Sequence, residues 1–223
     1  MIIAIDGPSG AGKSTLGKML AKKLNLLYLD TGAMYRGVAL AALQAGETID
    51  DKEKAIEIAK HSKIELAGEP DSLQIKLNGQ DVSSEIRTNE VSQTASIVSS
   101  ISEVRKILVE LQRTLGETAP NGCVLDGRDI GTVVFPNADV KFFLTAKPEA
   151  RARRRFEEDL QRGQKSTYEK TLAEINQRDE RDVSREDSPL SIAEDAIVID
   201  TSELNLREVY EQMLEEIKGA REK

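Results

Sequence analysis

One cysteine and one histidine in 223 residues are the first scarcities, and each closes a route. The lone Cys123 cannot form an internal disulfide, which fits a reducing, cytoplasmic setting. The lone His61 stands among Lys60, Ser62 and Lys63 and reads as a solvated helix residue, so no histidine general base is expected. No apolar run approaches the ~20 residues that span a bilayer. The opening "MIIAI" is too short, and lacks the basic start, for a secretory leader. A basic field is missing too: 39 acidic against 31 basic residues leave a net charge of −8, which argues against general nucleic-acid binding. No internal repeat or low-complexity linker is found. What is present is enough for a soluble core: 39% of residues are hydrophobic and 31% charged.

The apolar spacing alternates between two periods. Residues 1–6 read as a short buried strand, and residues 13–25 as a helix with Leu16, Met19, Leu20 and Leu24 on one face. "LLYLDTG" is a second strand ending at Asp30, with helices expected over 33–45 and 51–62. That rhythm predicts a parallel α/β sheet of five strands with helices on both faces. It breaks at 63–84, where alternation around Leu73, Ile75 and Leu77 and the pair Asn78-Gly79 predict a small antiparallel insert. Helices follow from about 89 and over 103–115, the latter with Ser102 as its cap. The sheet pattern resumes at "CVLDG" and "VKFFLTA". A helix then opens at Pro148 and closes at Gly163, and another covers 167–180. "AIVID" is the last strand. The final helix carries Leu206, Val209, Met213, Leu214 and Ile217 on one face.

The chemistry starts at "GPSGAGKS", which fits G-x-x-x-x-G-K-[ST]. A chance match in a chain this long is on the order of 1%, and here it follows a strand and opens a helix, as a phosphate loop must. Gly7, Pro8, Ser9, Gly10, Ala11, Gly12, Lys13, Ser14 and Thr15 are therefore expected to hold ATP. The glycines let backbone N–H groups converge on phosphate oxygens at the positive end of the helix dipole. Lys13 supplies a charge between the β- and γ-phosphates, and Ser14 a hydroxyl for Mg²⁺, with Asp126 reaching that ion through water. The guanine-reading pattern N-K-x-D of Ras-type switches is absent.

Arginine is dense between 151 and 185 in an otherwise acidic chain, although carboxylates are interleaved there. Such a gathering suits either a small polyanion or a salt-bridged helix surface. With no histidine base, an already anionic phosphate acceptor is favoured over an alcohol, because positioning and charge neutralisation then suffice. Asp30 or Asp129 could still serve an alcohol.

"DGPSGAGKST", "LDTGAMYR", "SSEIRTNEVSQTASIVS", "LDGRDIGTVVFP" and "RDERDVSR" occur in an order that resembles the bacterial cytidylate kinases, essentially end to end and with the insert included. The stretch "DGRDIGTVVFP" is its most specific part. The resemblance implies γ-phosphoryl transfer from Mg-ATP to CMP or dCMP by a monomer. It also implies a core of 1–30, 121–147 and 188–223, an acceptor region of 31–120, and a lid with acceptor helices at 148–187. Residues matching Ser96, Arg105 and Asp129 read the cytosine in that family. Arg36, Arg128 and Arg185 match its acceptor-phosphate arginines, Arg178 and Asp182 its sugar contacts, and Thr31 lies in the matching acceptor motif. Arg151, Arg154 and Arg155 are similar to its lid arginines. Arg154 is expected, with Lys13, Arg128 and Arg185, to serve the transfer itself, though spacing does not single it out. Some relatives carry K-G-T where this chain has Lys13-Ser14-Thr15, which leaves the metal contact open between Ser14 and Thr15. Two rivals stay open: a kinase of the same fold for AMP, UMP or a metabolite alcohol, and a nucleotide-dependent switch acting on a partner.

Overall fold

The computed structural model describes residues 1–46, 51–163 and 165–221. Five strands, β1 (Ile2–Asp6), β2 (Leu27–Asp30), β6 (Cys123–Gly127), β7 (Val140–Thr145) and β8 (Ile197–Asp200), form one sheet in the order β2-β6-β1-β7-β8. Every neighbouring pair is parallel. The alternation of β1 shows why both faces are covered. Ile3 and Ile5 pack with Leu16 and Leu20 of α1 (Lys13–Leu24) and with Val209, Met213 and Ile217 of α8 (Leu206–Arg221). Ala4 faces the other way, toward Leu29, Leu125, Ile130 and Phe135. Leu206, expected on the packed face of α8, is the first residue of that helix and is 42% exposed.

A second hydrophobic cluster belongs to α2 (Thr31–Gln44), α3 (Lys52–His61), α4 (Asn89–Val98), α5 (Ser102–Glu117) and the insert. The insert is the antiparallel sheet β3 (Ile64–Ala67), β4 (Gln74–Leu77), β5 (Gln80–Asp81). Its turn is the expected Asn78-Gly79 hairpin, both residues left-handed at φ 52° and 84°. Ile64, Ile75 and Leu77 bury against α2.

Three local expectations shift. Ser102 does not cap α5: Ile101 takes the N-cap position without a side-chain bond, because burying it to 5% exposure outweighs the capping preference. Helix α2 begins at Thr31, capped by Asp30, which accepts from the Ala33 N–H at 2.8 Å. Helix α6 (Pro148–Gln161) ends as expected, with Gly163 left-handed just beyond it. Helix α7 (Tyr168–Ser184), capped by Thr167, runs four residues past its expected end and so carries Asp182 as well as Arg178.

The strand register lines up the carboxyl edge of the sheet. Asp6 lies beside Gly127, and Asp30 beside Asp126, at the edge where open α/β sheets bind ligands. After β6 the chain makes one π-helical turn, Ile130–Val134. Asp6 fixes that turn, accepting from the Ile130 N–H at 2.8 Å and the Gly131 N–H at 2.7 Å. Burial pushes the Asp6 carboxyl up to about 6 against the opposing pull of those two N–H bonds. A carboxyl raised on folding stabilises most while protonated, below its unfolded value, and loses that contribution as pH climbs through about 6. The stability gap between wild type and Asp6→Asn, read by urea unfolding, should therefore be widest below pH 3.8. It should shrink by about 3 kcal/mol by pH 7.5; a gap independent of pH would refute the assignment.

Candidate active site

The phosphate loop follows β1 and bends through three left-handed glycines. A Cβ on Gly7 would lie 2.0 Å from the Leu144 carbonyl oxygen, so no other residue fits there. Gly12, at φ 91°, is the N-cap of α1 and offers no side chain to its free N–H groups, and no acidic residue occupies the first turn. Those donors are left for an anion. The Lys13 ammonium is buried and donates to the Pro8 carbonyl at 2.7 Å. Burial, and then the nearby Arg128, pull it well below the usual lysine range. A desolvated lysine among guanidiniums is poised for a phosphate.

Asp126 is the penultimate residue of β6. It accepts from the Ser14 hydroxyl at 2.7 Å and the Tyr28 hydroxyl at 2.8 Å, while Thr31 donates to its backbone carbonyl at 2.7 Å. Burial, and then Asp30, raise its carboxyl to about 6. Gly17, on α1, leaves room for the Tyr28 ring: a Cβ there would meet it at 2.8 Å.

The facing wall is built from arginine–carboxylate pairs. Arg128 donates to Asp182 at 2.7 Å, and Arg36 pairs with Asp30 at 3.1 Å. Arg105 donates to Asp129 and, at 3.1 Å, to the Ser99 carbonyl, with its guanidinium 5.5 Å over the Tyr35 ring. Arg185 approaches Asp129 at 3.9 Å and donates to the Ser188 carbonyl at 2.5 Å. Burial penalises the Asp182 carboxylate, but Arg128 and Arg178 outweigh it and hold the group below its ordinary value. Arg178 is pushed down to about 10 by burial and by Arg128. Donors on this wall remain unsatisfied: Nε of Arg36, Arg105 and Arg178, and Nη2 of Arg185. A buried donor left unmade costs ~1–3 kcal/mol, and four in one cleft call for a multiply charged ligand.

Loop and wall enclose one cavity of about 520 Å³, bordered by ten cationic side chains and six carboxylates. Of the expected residues, Ser9, Gly10, Gly12, Lys13, Ser14, Thr15, Thr31, Arg36, Arg105, Arg128, Asp129, Arg178, Asp182 and Arg185 line it. Gly7, Pro8 and Ala11 lie behind the loop as its backbone support. Two expected residues are turned elsewhere. Ser96 accepts from Arg181 at 2.8 Å, and Arg154 donates to Thr201, at 3.0 Å to its hydroxyl. Arg155 and Arg162 border the cavity, tethered to Asp159 at 3.2 Å and Glu158 at 3.6 Å. His61 is exposed in the last turn of α3. Sequence reasoning assigned no role to Tyr28, Tyr35 or Arg181. The one signal for Tyr35 was its place beside Arg36 in "GAMYR".

An anion cradle facing a shell of buried arginines across one cleft, on a five-stranded parallel sheet, defines a phosphoryl-transfer enzyme of the P-loop class. The family model for cytidylate kinase matches residues 3–219. The cytidylate kinase of Caldanaerobacter subterraneus subsp. tengcongensis is 51% identical over 216 residues, 97% of this chain and 94% of its own length. That of Geobacter sp. strain M21 is 49% identical over 218 residues, 98% of this chain and 93% of its own. A crystal structure of shikimate kinase from Bacteroides thetaiotaomicron aligns over 100% of this chain and 99% of its own with a TM-score of 0.51 and 15% identity, a likeness of fold alone. The chain belongs to the cytidylate kinase family.

Proposed function

We propose that the chain moves the γ-phosphoryl group of ATP onto the phosphate of CMP or dCMP, releasing ADP and CDP or dCDP. The observation that carries this is the set of unsatisfied guanidinium donors on Arg36, Arg178 and Arg185 in the same cavity as Lys13. One cationic group serves the donor phosphates, and a separate shell awaits a second phosphate. An oxygen of the acceptor phosphate attacks the γ-phosphorus in line. The new P–O bond forms as the bond to the β,γ-bridging oxygen breaks, and that oxygen leaves on ADP. The acceptor is already an anion, so no base is required. Arg36, Arg128 and Arg185 hold it and Lys13 steadies the β- and γ-phosphates. Asp182 and Arg178 meet the sugar, and Arg105 and Asp129 meet the base. Arg155 and Arg162 can leave their carboxylate tethers to close over the phosphates and exclude water.

The Ser14 hydroxyl and the Asp126 carboxylate, 2.7 Å apart, are hard oxygen donors of the kind Mg²⁺ takes. Among the described residues no group of three or more His, Cys, Asp or Glu could hold a metal alone, as suits an ion that arrives with ATP. When bound, Mg²⁺ neutralises charge on the β- and γ-phosphates. Ser14 would hold it, Asp126 acting through water. Substituting Ser14 and Thr15 separately tests which hydroxyl does so. The same reading has the chain working as a monomer on free nucleotides in the cytoplasm.

The test is ADP formation from Mg-ATP with CMP, dCMP, UMP, AMP or no acceptor. Turnover is expected with CMP and dCMP and at least 100-fold less with UMP or AMP, a margin within the reach of a hydrogen-bonded base site. ADP release that ignores the acceptor would overturn the assignment and favour the switch.

A further inference from the structure

Arg151 is one of the most buried charges in the chain, at 3% exposure, and it does not border the cavity. Four of its five N–H groups are engaged, from three directions. Nε donates to the Ala146 carbonyl beyond β7 at 2.8 Å, and Nη1 to the Ser9 carbonyl of the phosphate loop at 3.1 Å. The fork closes on Asp179 of α7, with Nη1 to Oδ1 at 3.0 Å and Nη2 to Oδ2 at 2.5 Å. Packing tightens the same joint: a Cβ on Gly10, left-handed at φ 80°, would sit 3.0 Å from the Arg151 Cβ. Asp179 directly follows Arg178 and lies three residues before Asp182, the partner of Arg128. One planar side chain therefore joins the loop that cradles the donor phosphates to the helix that carries the acceptor contacts.

We propose that Arg151, with Asp179, is a positioning pair that sets the separation of the two phosphates in the transfer step, instead of a lid arginine that touches ATP. This rests on the CMP-kinase reading of the site. Its physical basis is that transfer needs the reacting oxygen and phosphorus in near-attack geometry, and a misplacement of about 1 Å can cost ~100-fold in rate. Binding is far more tolerant, because each nucleotide keeps its own contacts. Only a planar fork can meet two carbonyls and both oxygens of a carboxylate at once, so lysine is no substitute.

The experiment compares wild type with Arg151→Lys, Asp179→Asn and the double variant. It reads kcat with CMP, the dissociation constants of CMP and of a non-hydrolysable ATP analogue, and thermal unfolding. Each single variant is expected to lose ~10–100-fold in kcat while both dissociation constants stay within about threefold. The double variant should lose little more than the worse single one, as members of one unit do. If Arg151→Lys fails to fold, Asp179→Asn decides alone, its side chain being 23% exposed. Retained kcat, or affinities that fall as far as kcat, would overturn the proposal. A wild type without CMP-dependent turnover would instead sink the kinase reading beneath it.

Discussion

Replacing Lys13 by Met is expected to lower kcat by about 1,000-fold, or ~4 kcal/mol of transition-state stabilisation, while CMP affinity changes by no more than a few-fold. The loss follows from where the ammonium lies. It is buried at the mouth of the phosphate loop, with the Pro8 carbonyl as its one hydrogen-bond partner among the described residues, so most of its donor capacity is unspent until a phosphate arrives. Methionine matches its length and removes the charge. CMP affinity should survive because Arg36, Arg128, Arg178 and Arg185 stand on other elements. A second result follows from the same burial. Folding holds Lys13 in a setting that penalises its charged form, and Arg128 and Arg178 add to the penalty. Lys13→Met should therefore unfold at a temperature equal to or above that of wild type, the usual exchange of stability for function at an active site. Steady-state kinetics, calorimetric CMP binding and a thermal melt check all three. Loss of CMP binding in a folded variant would contradict separate donor and acceptor sites.

How far the site could be read in advance depended on how local each feature is. The phosphate loop was legible because its glycines, lysine and hydroxyls act through backbone geometry within a few residues. The Asn78-Gly79 turn was legible for the same reason. The wall was not. Asp182 meets Arg128 across 54 residues, Asp179 meets Arg151 across 28, and Ser14 meets Asp126 across 112. Such pairs need the sheet order, which places β6 between β1 and β2. The phosphate-loop pattern and a strand end suggested Ser14 and Asp126; for the arginine–carboxylate pairs, only a resemblance to known sequences named members beforehand. Even then the direction of a side chain was hidden. Arg151, Arg154 and Arg155 are near neighbours on α6, yet one grips the loop from behind, one meets Thr201 and one borders the cavity. The π-helical turn at Ile130–Val134 left no trace because its β-branched residues have low helix propensity. It is held instead from outside, by Asp6 and by Arg113 donating to the Val133 and Val134 carbonyls.

Substituting Asp129 by Asn is expected to lower the preference for CMP over UMP, as a ratio of kcat/KM, by about 100-fold. The Asp129 carboxylate is buried with Arg105 on one oxygen and Arg185 near the other. Between two guanidiniums it accepts hydrogen bonds and offers none. Cytosine brings an amino donor at N4 to such a group. Uracil brings an oxygen with no proton between, and a site left unpaired in that way can discriminate by as much as ~10⁴. Asparagine keeps the shape and adds an N–H₂ able to face O4 of uracil. The ratio should therefore fall from both ends, with CMP losing and UMP gaining. Truncation to Ala is the poorer test, because it strands Arg105 as a buried charge at a cost of ~3–5 kcal/mol. Tyr35 limits the damage in the Asn variant, since its ring still backs the Arg105 guanidinium at 5.5 Å. Base reading is visible only as a change in the ratio. A uniform loss with both nucleotides would mean that Asp129 merely holds Arg105 and Arg185, and an unchanged ratio would place cytosine recognition elsewhere in the cavity.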